Sequence, residues 1–162
     1  MSTKIYLSEV MMPSQTNPSG NVHGGELMKM MDSTAYAAAR KFCRSNVVTA
    51  WVDELDFHTP TLIGDVVTCT AEVIYVGHTS MEVAVNVEVE VLEAEQGPQH
   101  ALSAYFTMVA LDRNGRPMTV PKLELETEEA KAAFEAARKR HELYHERKKQ
   151  RQAMAKSAEK SH

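Results

Sequence analysis

The sequence is poor in cysteine. Cys43 and Cys69 are its only two, neither close-spaced like metal ligands nor numerous enough for a disulfide framework, which sets aside cysteine zinc sites and stapled secreted scaffolds. Both thiols stand among small or apolar residues and are expected to be free and mostly buried. Long apolar runs are missing too: no stretch approaches the roughly 18 residues of a membrane-spanning helix, and Met1-Ser2-Thr3-Lys4 lacks the apolar heart of a secretory leader. A soluble, cytoplasmic protein without a membrane partner is expected. No group of His, Cys and Asp has metal-ligand spacing, so no metal and no other cofactor is expected.

What is present is a chain of 162 residues with 43% apolar content, enough for one domain with a core and an appendage. Its net charge of -4 conceals a division. Residues 131 to 162 carry ten Lys or Arg against four Glu, leaving the first 130 residues at about -10. The basic stretch reads as solvated charge on an exposed helix, and no nucleic-acid partner is inferred from it.

Ile5 to Val10 reads as a strand, and Met11 to Asn21 as a polar loop rich in turn formers. From Gly24-Gly25 to Phe42 good helix formers take over, with Glu26 near the positive end and Arg40 and Lys41 near the other, predicting a helix over 25 to 42. Between Leu27 and Ala39 this helix is apolar or small on nearly every side, so it should be wrapped by a sheet or a partner. Four strands are predicted after it: Val47 to Phe57, Val66 to Val76, Met81 to Leu92 and Ala101 to Leu111. In the third of these Met81, Val83, Val85, Val87, Val89 and Val91 share one face while Glu82, Asn86, Glu88 and Glu90 share the other, the alternation of a sheet with one wet side. Gly64-Asp65, Gly77-His78-Thr79 and Gln96-Gly97-Pro98 supply hairpin-like turns, and Asn114-Gly115 ends the last strand. The predicted α+β order is strand, helix, then a four-stranded antiparallel meander, occupying residues 1 to 125. Thr127-Glu128-Glu129 looks like the capped start of a charged helix, assigned to 126 to 151, with residues 152 to 162 expected to be disordered.

Asp32 is the anomaly in this pattern, a carboxylate in the middle of an otherwise apolar helix. Burying it ionised without partners costs several kcal/mol or raises its pKa, so it needs a reason. Near it in sequence are the polar loop around Asn17 and the pair Gly24-Gly25, whose backbone N–H groups at a helix N-terminus suit a developing oxyanion. A plain turn before a helix, and an Asp reaching a solvent gap, are the structural alternatives.

The run Asn17-Pro18-Ser19-Gly20-Asn21-Val22-His23-Gly24-Gly25, then Met30-Met31-Asp32, then Trp51-Val52-Asp53-Glu54-Leu55-Asp56-Phe57, then Gly64-Asp65-Val66-Val67, resembles the acyl-CoA hydrolase group of hot-dog thioesterases. The turn Gly77-His78-Thr79-Ser80-Met81 and the tail Pro117-Met118-Thr119-Val120-Pro121 extend the match to about residues 5 to 140. The resemblance implies a hot-dog fold, with five antiparallel strands around one long helix. It also implies edge-to-edge pairing of two domains, a thioester site at their interface, and often a trimer of such dimers. The partner groups would be Asn17 from one copy and Asp32 from the other, and the substrate a fatty acyl-CoA cleaved to fatty acid and coenzyme A.

On that reading Asp32 either activates water or attacks the carbonyl, while Asn17, Gly24, Gly25 and the neighbouring His23 hold the oxyanion or the substrate. His58 and His78 receive no catalytic role, and Cys43 is expected to be inert. For coenzyme A, the Gly77-His78-Thr79-Ser80 turn offers donors, and Arg113, Arg116, Lys122, Arg138 and Lys139 offer charge for phosphates. Met28, Met31 and Tyr36 are expected along the acyl path, where adaptable methionines favour a broad substrate range. A non-catalytic acyl-CoA-binding module and a hot-dog hydratase or dehydratase are the alternative functions.

Overall fold

The long helix α1 (Gly24–Cys43) lies against a single sheet. The computed structural model describes residues 3–160, which fall into two compact units divided between Leu123 and Glu124. In the first unit β1 (Ile5–Val10), β2 (Asn46–Asp53), β3 (Val66–Val76), β4 (Ser80–Glu90) and β5 (Gln99–Leu111) form one antiparallel sheet. Leu27, Met30, Met31, Ala35, Ala38 and Ala39 of α1 are buried in one core with Val67, Cys69, Ala71, Val83, Val85, Val87, Phe106 and Met108 of the sheet. Each large side chain fully withdrawn from water contributes about 1.5–3 kcal/mol, so this contact is the main source of stability in the unit.

The strand order is β1-β3-β4-β5-β2, which corrects the predicted meander. Only β3, β4 and β5 are successive neighbours; β2 crosses to the far edge and pairs with β5, and β1 takes the place beside β3. The Gly64-Asp65 turn is real but is not a β2–β3 hairpin. Gly64, with φ +86, donates its N–H to Met11 O at 2.9 Å, and Met11 donates to Asp65 O at 2.9 Å. The turn thus feeds β3 in next to β1. A segment as long as the one between Asp53 and Val66 has no need to close a tight hairpin, so local turn chemistry could not reveal the crossing.

Other boundaries moved for identifiable reasons. β2 ends at Asp53, short of the expected Phe57, because Glu54 takes the left-handed conformation (φ 57) with its N–H on Asp53 Oδ1 at 3.0 Å. β4 ends at Glu90, so Val91, assigned to the buried face, is 43% exposed. Glu82, assigned to the wet face, is buried; it stands opposite Thr107 on β5, which is also buried. The outward face of β4 is therefore buried at Glu82 and exposed only at Asn86 and Glu88. α1 is not covered all round within one chain either, since Met28 and Tyr36 are exposed.

The second unit is α2 (Glu128–Glu159). Thr127 caps it by accepting the Ala130 N–H at 3.1 Å, as the sequence suggested. The helix continues past residue 151 to Glu159, through most of the stretch expected to be disordered; Ser161 and His162 lie outside the described residues. Ala, Gln, Arg, Lys and Met there are strong helix formers, and their local preference carries the helix without core residues. Burial, with His145 and Arg140 nearby, lowers the His141 imidazole from 6.5 to about 4.

Two outcomes follow from the packing. Cys69 is fully buried and Cys43 is half-buried, and both are free thiols. Burial pushes the Cys69 thiol up to about 11, so alkylation of the native protein followed by peptide mass spectrometry should label Cys43 and spare Cys69 until the chain is unfolded. Arg44 ends α1 at φ 57, a conformation that suits glycine, and Arg44→Gly is expected to stabilise the fold by about 0.5–1 kcal/mol, read from the urea midpoint.

Candidate active site

Asp32 sits on the half-buried shoulder of α1, and Thr49 Oγ1 of β2 donates to its Oδ1 at 2.5 Å. The same hydroxyl lies 3.3 Å from Met108 Sδ on β5. Just beyond Thr49 the β2–β5 register slips, leaving Ala50 as an unpaired bulge; such irregularities re-aim side chains. With Oδ1 held by Thr49, Oδ2 is the carboxylate oxygen left to face a ligand. Thr49 was not singled out in the sequence. The signal was there, because it shares strand parity with buried Val47 and so puts a hydroxyl on the face turned to the helix.

Along α1, residues four apart share a face, and Met28, Asp32, Tyr36 and Arg40 form one stripe beside β2. Arg40 Nη1 donates to Tyr36 OH at 2.8 Å, and Tyr36 OH donates to Asn46 Oδ1 at 3.3 Å. The tyrosine ring one turn beyond Asp32 is therefore fixed from both sides.

Asn17 lies in a closed loop. Its N–H donates to Asn21 O at 2.8 Å and its carbonyl accepts from Gly20 at 3.0 Å; Gly20, at φ +84, makes the reversal possible. The side-chain Oδ1 of Asn17 accepts the N–H groups of Ser19 (3.0 Å) and Asn21 (3.1 Å). These two donors assign the amide oxygen inward, so the Nδ2 hydrogens point away from the loop. The loop is tied to the start of α1 by His23 N–H on Gln15 O (3.0 Å), and to the 61–65 turn by Val22 N–H on Thr61 O (2.7 Å).

The first hydrogen bond inside α1 runs from Glu26 N–H to His23 O, so the N–H groups of Gly24 and Gly25 precede the intrahelical ladder. A Cβ on Gly25 would meet nothing within 4 Å. His23 is exposed and makes no side-chain cap. The structure thus brings Asn17, His23, Gly24 and Gly25 together at one end of the helix. Asp32 is apart from them: seven residues at 1.5 Å each set it about 10 Å along the axis from Gly25. Within one chain these are two separate groups of residues.

The Gly77–Ser80 turn is closed by Gly77 N–H on Ser80 O at 2.8 Å, and it is pinned by Ala110 N–H on Thr79 O and Val120 N–H on His78 O, both at 3.0 Å. This brings it alongside the segment that carries Arg116 and Lys122, both exposed like Arg113. Met81, which follows the turn, shares a cross-strand row with Met108 and Thr49, about 10 Å from Thr49 at the usual strand spacing. Arg138 belongs to α2, where Glu135 and Glu142 already pair with it. The outward face of the sheet has its own groove of about 530 Å³, lined by Glu54, Leu55, Asp56, His58, His100, Ser103 and Tyr105. Among the described residues no three His, Cys, Asp or Glu are grouped to hold a metal ion.

Five antiparallel strands laid against one long central helix make this a hot-dog fold. Residues 19–93 match the Thioesterase superfamily. The acyl-CoA hydrolase of Staphylococcus aureus, solved in complex with butyryl coenzyme A, coenzyme A and coenzyme A disulfide, is 32% identical with a TM-score of 0.85, covering 96% of this chain and 94% of that one. Variants of that enzyme have also been solved with an asparagine, an aspartate or a threonine replaced by alanine. The spacings between those three positions, 15 and 17 residues, are also those of Asn17, Asp32 and Thr49. A hexameric acyl-CoA thioesterase is 34% identical with a TM-score of 0.83, covering 90% of this chain and 93% of that one. The cytosolic acyl coenzyme A thioester hydrolase of Mus musculus is 40% identical over 130 residues, 80% of this chain and 34% of that longer one. The chain belongs to the thioesterase superfamily, among its acyl-CoA thioester hydrolases.

Proposed function

We propose that this protein hydrolyses the thioester of fatty acyl-CoA, releasing coenzyme A and the free acid, at sites built by two copies of the chain. The carrying observation is the separation of the half-sites. A carbonyl within reach of Asp32 Oδ2 lies too far from the Gly24 and Gly25 N–H groups of the same copy, and in a pair the donor end of each copy can face the carboxylate of the other. The shared spacing of Asn17, Asp32 and Thr49 with the replaced positions in the Staphylococcus aureus enzyme supports the same set of residues.

In the proposed reaction the thioester oxygen rests on the Gly24 and Gly25 N–H groups, where the helix dipole favours developing negative charge. Asn17 Nδ2 of the same half-site holds the oxyanion or the water. Asp32 of the other copy acts through Oδ2 by one of two routes. As base it takes a proton from water while the water oxygen adds to the carbonyl carbon; collapse breaks the C–S bond, and the proton passes to the departing thiolate. As nucleophile it adds directly and expels the thiolate, and water then cleaves the mixed anhydride. Neither route calls for a cofactor. The Gly77–Ser80 turn with Arg113, Arg116 and Lys122 is proposed to receive the coenzyme A phosphates, with Arg138 a weaker candidate because its charge is already paired.

The copies are proposed to meet along the β2 edge, where Val48 is exposed on the strand and Met28 and Tyr36 are exposed on the α1 stripe that carries Asp32. The hexameric relative supports a trimer of such dimers as the final assembly. No described helix is long and apolar enough to cross a membrane, and the mouse relative is cytosolic; a cytoplasmic location is proposed.

Thiol release from a panel of acyl-CoAs tests the reading. Asp32→Asn is expected to lower kcat by two or more orders of magnitude with the assembly intact, and a variant as active as the parent would refute the mechanism. Thr49→Val should lower kcat by a smaller factor, about tenfold, because the carboxylate stays but its orientation is lost. Co-refolding equal amounts of Asp32→Asn and Asn17→Ala should recover about a quarter of parental activity, since half the dimers are mixed and one of their two sites is whole. No recovery from a mixture shown by native mass spectrometry to contain mixed dimers would place each site within one copy. Oxygen-18 entering the Asp32 carboxylate during one turnover in labelled water would select the nucleophilic route.

A further inference from the structure

Phe57 is a large ring left 44% exposed on a segment that the sequence assigned to β2. Its Cζ, Cε1 and Cε2 atoms lie 3.4, 3.6 and 3.8 Å from where a Cβ on Gly24 would stand, so the edge of the ring rests against the first turn of α1. The space beside Gly25 is open. The helix end that offers free N–H groups thus has an apolar wall on one side and room on the other.

The wall is held in place from both ends of its segment. Before it, Glu54 is left-handed and bonded to Asp53 Oδ1, and Leu55 packs against the core. After it, buried Thr61 accepts the Val22 N–H and Leu62 bridges to Asn21, which ties this segment to the Asn17 loop. Strained, doubly anchored backbone of this kind concentrates where a side chain has to be presented accurately.

We infer that Phe57 determines acyl specificity near the carbonyl. The inference rests on the acyl-CoA reading proposed above. With the thioester oxygen on the Gly24 and Gly25 N–H groups, the first carbons of the acyl chain run along the ring edge. The ring edge stands 3.4–3.8 Å from the Cβ position of Gly24, which leaves little spare room at that point, so a straight chain lies flat against the ring and a methyl branch on the carbon next to the carbonyl collides with it. Phe57 takes no part in bond making; it selects unbranched acyl groups by shape.

The test compares kcat/KM for butyryl-CoA and 2-methylbutyryl-CoA in the parent, Phe57→Ala and Phe57→Leu, with the mass of each assembly measured alongside. The parent is expected to favour the straight chain by about tenfold or more, the usual worth of one methyl group in a shaped pocket. Phe57→Ala should bring the two within about threefold, through a higher KM for butyryl-CoA and a faster branched substrate, with Phe57→Leu between them. A merely structural role would lower both substrates together. An unchanged ratio in an intact, active Phe57→Ala assembly overturns the specificity role and leaves the thioesterase reading standing. A changed assembly mass with the ratio preserved overturns it too, by making the ring a subunit contact. A parent that cleaves neither these nor longer acyl-CoAs removes both.

Discussion

How closely α1 can approach the sheet is the constraint on which the rest of the structure depends. The helix meets the strands through Ala35, Ala38 and Ala39, all fully buried, and small side chains at these points let the backbone sit low on a floor of valines. That depth brings a short carboxylate within reach of a threonine on the far edge strand. Larger residues at the alanines would lift the helix and open the Thr49–Asp32 hydrogen bond before they unfolded the protein, because overpacking is relieved by displacement. Core packing and site geometry are one problem here.

The helix also acts as a ruler. It separates a carboxylate end from a donor end by a distance set by backbone geometry, which no side-chain rotamer can close. Around the donor end three loops are bound into one body: the Asn17 loop, the Gly64 turn and the segment carrying Phe57 share hydrogen bonds through Val22, Asn21 and Met11. The carboxylate end is rigid for a different reason, since its parts belong to α1 and the sheet. Each half can be accurate alone, as the proposed shared site demands of its contributors.

Much of this was legible in the sequence, and the parts that were not share a cause. Helix α1, the bounds of β3 and the turn at Gly77 follow from local propensity and period. Asp32 stood out because a carboxylate contradicts its surroundings, the glycine pair because free N–H groups at a helix N-terminus suit an oxyanion, and the role of Asn17 through likeness to a known family. Strand order was not legible, since β2 chooses its neighbour through contacts distant in sequence. The burial of Glu82 escaped for the same reason: alternation tells which face a residue takes and says nothing of what lies over that face. Thr49 needed both facts at once, its parity on the strand and the strand's place at the edge beside Asp32. Phe57 looked like strand because Glu54 adopts a conformation that glutamate seldom takes.

Carrying both half-sites on one chain has a consequence for how such proteins can diverge. While the copies are identical, the proposed pairing obliges every chain to keep a working carboxylate end and a working donor end, and neither can drift without disabling all sites equally. Joining two copies in tandem would lift that obligation. One repeat could then keep the acid and the other the amide, a single site would survive, and the released surfaces would be free to acquire a different use.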